Sequence, residues 1–162
     1  MVDCESKLKA LKEKYFTLEK KYSLPSFEKL NEDFQIEKIA EEETDLVLRE
    51  VRKVMVDKFS NYLRFVEGIL HPSEAPVFVF SIIKTLGVEE KNLLSDSYRI
   101  LSRLEVDFLE LDIEFSEIKE SEFILKSFKE WQEVKKKLLA VIKTIKDNWD
   151  NKASENSKSY FG

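Results

Sequence analysis

Apolar residues recur along most of this chain at spacings of three and four, the period of a helix with one buried side. Leu8, Leu11, Tyr15, Leu18 and Tyr22 form a narrow stripe over a first helix that runs from about Asp3 or Glu5 to Tyr22. Lys7, Lys9, Lys12, Lys14, Lys20 and Lys21 take much of its remainder, and Glu5, Glu13 and Glu19 interrupt that basic face. This is the pattern of an outer bundle helix with a solvated side. A connector follows in which Pro25 fixes direction and Ser26 can cap a short helix. Its Phe27, Leu30, Phe34, Ile36 and Ile39 are too apolar for a free linker. The acidic run Glu41 to Asp45 favours a helix start nearby, because acids oppose the positive end of the helix dipole.

From Leu46 to Leu70 the stripe is wide, and Arg49, Arg52, Lys53, Lys58 and Arg64 read as a basic outside. His71 and Pro72 end it. The segment Ala75 to Leu86 has no wide polar face at any period, so it is expected to be a helix of about three turns covered from every side. Ser73 is its candidate N-cap and Gly87 its candidate left-handed C-terminal residue.

A long helix is then expected from Glu89 to about Lys119. Leu94, Leu101, Phe108 and Phe115 recur every seven residues, with Leu104, Leu111 and Ile118 at the complementary positions. Val106, Leu109 and Ile113 fall on the other side, so the middle of this helix is apolar on two faces. Strict alternation from Leu109 to Phe115 also fits a half-buried strand; helix propensity and the heptad on both sides favour the helix. A last helix, opened near Ser121, carries Phe123, Ile124, Phe128, Trp131, Val134, Leu138, Val141, Ile142, Ile145 and Trp149. Between Glu105 and Glu122 stand eight acids and one base, and between Lys126 and Lys146 seven lysines and two acids, so the two helices are expected to pair antiparallel.

The expected fold is all-α: a single-domain bundle of five or six helices with a buried central helix over residues 1–150, and a disordered polar tail over 151–162. Three glycines and three prolines in 162 residues fit that class. With one cysteine, Cys4, neither an intrachain disulfide nor a cysteine zinc site can form, and the charged start holds no apolar leader, so a cytoplasmic location is expected. No apolar run reaches the roughly 20 residues of a membrane span.

Candidate chemistry is sparse. Gly68, Gly87 and Gly162 are too dispersed for a phosphate loop, and His71, the sole histidine, has no nucleophile or orienting acid suggested beside it. Asp107, Glu110, Glu114 and Glu117 line one helix side, where a solvated or lysine-paired face explains them better than a bound cation such as Mg²⁺. Lys135, Lys136, Lys137, Lys143 and Lys146 form the best basic patch, yet the flanking Trp131 and Trp149 keep the apolar spacing rather than that of a stacking platform. A net charge of −5 also disfavours nucleic acid. No catalytic residue, cofactor, metal or small-molecule substrate is inferred. The leading expectation is a non-catalytic interaction module that binds another protein or itself, with Val106, Leu109 and Ile113 as its interface; the alternative is a nucleic-acid-associated accessory protein that uses the lysines of the last helix.

Overall fold

The computed structural model describes the backbone of residues 2–160 and side chains from Asp3 to Lys152. In chain order these form α1 (Val2–Tyr22), α2 (Phe27–Phe34), a 3-10 helix (Ile36–Glu42), α3 (Val47–Leu70), α4 (Val77–Ile83), α5 (Val88–Ile113) and α6 (Glu117–Tyr160). The fold is all-α, with no strand among the described residues. Two compact units divide the chain, Met1–Asn61 with Arg103–Trp131, and Tyr62–Ser102 with Gln132–Gly162.

In the first unit, Leu11 and Tyr15 bury the α1 stripe, and α1, α2 and the 3-10 helix pack on one another. Lys7, Lys14 and Lys21, seven residues apart, lie along the edge of that buried side and pair with Glu43 (2.8 Å), Asp45 (2.9 Å) and Glu117 (3.1 Å). The Tyr15 hydroxyl donates to the Pro25 carbonyl at 2.6 Å, and its ring meets Phe27 edge-on at 5.8 Å. Burial, reinforced by Glu19, holds the Tyr15 phenol well above its ordinary range. Tyr15→Phe strands that carbonyl and is expected to cost about 1 to 2 kcal/mol in urea unfolding.

Ser26 caps α2 by accepting from the Lys29 N–H at 3.3 Å. Gln35 ends the helix in the left-handed conformation, at φ 54°. Asn31 then spans the turn, accepting from the Glu37 N–H at 2.9 Å and donating to the Glu37 carboxylate at 3.1 Å. Phe27, Leu30, Phe34, Ile36 and Ile39 are all buried, so the connector belongs to the core as expected. Phe34, Phe59 of α3 and Trp131 of α6 form a ring cluster with centroids 5.6 to 6.0 Å apart. The Lys58 ammonium stands over two of these rings, 5.5 Å from Phe34 and 5.3 Å from Trp131, and donates to the Asp33 carbonyl.

In the second unit, Val66, Ile69, Leu94, Leu101, Val134, Leu138 and Val141 supply the core. The apolar segment 75–86 is not an enclosed central helix: α4 spans seven residues, only Ile82 within it is buried, and Val77, Phe78 and Phe80 are exposed. Consecutive apolar residues point around the whole helix circumference, but only the side bearing Ile82, continued by Leu86, meets neighbours. Pro76, rather than Ser73, occupies the N-cap position and provides no side-chain bond. Gly87 does not adopt positive φ; its N–H donates to Glu90 at 2.9 Å and so opens α5. Asn148 and Thr144 of α6 fasten this corner by donating to the Thr85 carbonyl (2.6 Å) and to Glu90 (3.2 Å).

The heptad seam of α5 is buried at Leu94, Leu101, Leu104 and Leu111, with Phe108 half-buried. It stops before Phe115 and Ile118, which are exposed, because α5 ends at Ile113 and α6 begins at Glu117. The expected helix to Lys119 and restart at Ser121 are thus replaced by a break at 114–116. Ser116 makes the new start, its carbonyl accepting from the Glu120 N–H at 2.9 Å and its hydroxyl from the Lys119 N–H at 3.4 Å. Leu109 to Ile113 are helical, which decides against the strand. The α6 backbone is helical through Tyr160, within the 151–162 segment expected to be a disordered tail; Phe161 and Gly162 lie outside the described residues.

Candidate protein interface

The last three turns of α5 carry two apolar stripes. At about 100° per residue, Leu104, Phe108 and Leu111 share one side, while Val106, Leu109 and Ile113 occupy an arc of about 60° roughly opposite. The first stripe is in the core. The second is open: Val106 is 65%, Leu109 55% and Ile113 88% exposed.

Acids border this open strip on both edges. On one side Glu105 accepts from the Ser60 hydroxyl at 2.9 Å, and Asp112 stands 3.6 Å from the Arg52 guanidinium, too far for a hydrogen bond. On the other, Glu110 and Glu114 share Lys119 at 3.8 and 3.2 Å, while Asp107 pairs with Lys126 at 2.8 Å. Glu117, at the start of α6, accepts from the Tyr22 hydroxyl at 2.6 Å and from Lys21. Those two contacts, Tyr22 foremost, hold its carboxyl below the ordinary range. The acidic series is therefore lysine-paired, as expected. Among the described residues no three His, Cys, Asp or Glu side chains converge on a metal-sized site.

Beneath the strip lies a buried ion pair, one member of which, Arg52, was expected on the basic outside of α3. Arg52 is 1% and Glu120 0% exposed, and Arg52 Nε donates to Glu120 at 2.6 Å. The Phe108 ring lies 5.0 Å from the guanidinium carbon. Burial pushes the Glu120 carboxyl up, and Arg52 opposes that shift. Arg52 is thus not part of a basic outside: Leu48, Arg52, Met55 and Phe59 step by four, three and four along the buried side of α3. Glu120, Ile124, Ser127 and Trp131 do the same on α6. A charge at core spacing on each helix was the available signal.

The lysine patch is partly committed. Lys137 is half-buried between Glu133 (2.8 Å) and Asp96 (3.6 Å); Lys135 is half-buried; Lys136, Lys143 and Lys146 are exposed. Trp131 is in the core and Trp149 rests against Phe78 at 6.0 Å, so Trp131 cannot stack on a base. His71 is exposed in the loop after α3, its ring edge-on to Tyr98 at 6.3 Å, and Cys4 is a free, exposed thiol on α1. No described helix is long and apolar enough to cross a membrane.

No protein-family model, curated protein or solved structure matches this chain.

Proposed function

We infer that the chain is a non-catalytic helical interaction module, working in the cytoplasm, whose interface is the outer strip of α5. The single observation behind this reading is the exposure of Val106, Leu109 and Ile113 on a helix whose opposite side already fills the core. Leaving three adjacent aliphatic side chains in water forgoes about 25 cal/mol per Å² of burial that a partner would recover. The lysine patch of α6 supports nucleic-acid binding less well, since Lys137 already faces two acids.

The test is the triple variant Val106→Gln, Leu109→Gln, Ile113→Gln. Glutamine is a good helix former and the sites are exposed, so urea stability is expected to move by no more than about 0.5 kcal/mol. Solution mass by light scattering and retention of a partner from cell extract are then compared with the parent. Loss of an association that the parent makes supports the interface. An identical mass and identical retention in the folded variant overturns it.

A further inference from the structure

Resting on the interface reading above, we propose that the outer strip of α5 receives a cationic amphipathic helix of another protein. The charges around the strip do not balance. Lys119 serves both Glu110 and Glu114, one cation for two carboxylates, and Asp112 stands 3.6 Å from an Arg52 already bonded to Glu120. The last turn of α5 contains no basic residue, so the negative end of its dipole, beside Ile113, has no side-chain counterpart on its own helix. An apolar stripe flanked by lysine or arginine matches this surface at once: its apolar side chains cover Val106, Leu109 and Ile113, and its cations meet the acids on both edges. A second copy joined strip to strip fits poorly. Two strips placed face to face would oppose Glu110 and Glu114 to the same acids of the other copy, and like charges across an interface disfavour association.

Two synthetic peptides of about 20 residues, long enough to form a helix on contact, test the assignment on the full chain. Both carry leucines at i, i+3 and i+7; lysines flank them in one and glutamates in the other. Calorimetric titration is expected to show binding of the lysine peptide that weakens with salt, and binding of the glutamate peptide at least about tenfold weaker. Leu109→Gln with Ile113→Gln should abolish the lysine peptide's binding, which separates docking from general attraction to an acidic protein. Glu110→Lys with Glu114→Lys should narrow the gap between the peptides. Equal affinity for both peptides, binding of neither, or undiminished binding of the lysine peptide to Leu109→Gln with Ile113→Gln overturns the cationic partner. The light-scattering and retention comparison then separates the readings: a change in the triple variant keeps the face as an interface for other chemistry, and no change removes the interface as well.

Discussion

Arg52→Ala is expected to cost about 3 to 5 kcal/mol of unfolding free energy, and Glu120→Ala a similar amount. Each leaves one charge buried without the partner that holds it at 2.6 Å. The cost is that of the orphan, not the worth of the pair. Replacing both, as Arg52→Met with Glu120→Leu, removes both desolvation penalties, so the double variant should be far more stable than the sum of the singles implies. Urea unfolding of the parent, Arg52→Met, Glu120→Leu and the double variant gives the coupling directly. The pair also has a pH signature. Because the folded-state value of Glu120 is raised, its contribution is fully present below the ordinary carboxylate range and is lost as pH rises through the raised value. Glu117 runs the other way: its lowered value gives stability present above the ordinary range and lost as pH falls. Glu120→Gln should therefore remove a loss of stability on the alkaline side of the carboxylate range and leave the acid-side loss in place.

Trp131→Ala is expected to cost a further large amount, about 3 to 5 kcal/mol, because the indole fills space between Phe34 and Phe59 and neither helix can close the void alone. The Lys58 ammonium loses one of its two ring faces as well, a term of about 0.5 to 2 kcal/mol in other settings and already part of the total. Trp131→Phe should retain much of the packing. Its emission then comes from Trp149 alone, which is partly exposed, so the spectrum should shift to longer wavelength while the protein stays folded.

The elements were legible where a stripe had one clear side. The capped start of α2 at Ser26, the connector through Phe34 and Ile39, and the seam from Leu94 to Leu111 follow from spacing alone. Segment 75–86 was misjudged because apolar residues on every side show what would prefer burial, not what neighbours exist to provide it. The end of α5 was hidden for another reason. No glycine or proline marks the break at 114–116, and the capping by Ser116 competes with a heptad that continues in sequence past it. The candidate interface was legible as a second apolar face of α5, but its openness depends on where other helices lie. Arg52 is the reverse case: it stands at a core position of α3, where its charge argues for the outside and its spacing, like that of Glu120 on α6, for the core.

Methyl-resolved NMR during titration with the lysine-flanked peptide tests the central claim most directly, because it locates the contact on the folded chain. Val106, Leu109 and Ile113 should shift together and saturate at one ratio, while the buried methyls of Leu30 and Leu94 stay in place. Saturable binding that leaves those three unmoved, or shifts centred instead on the exposed Val77 of α4, would contradict the assignment of the α5 strip as the docking face.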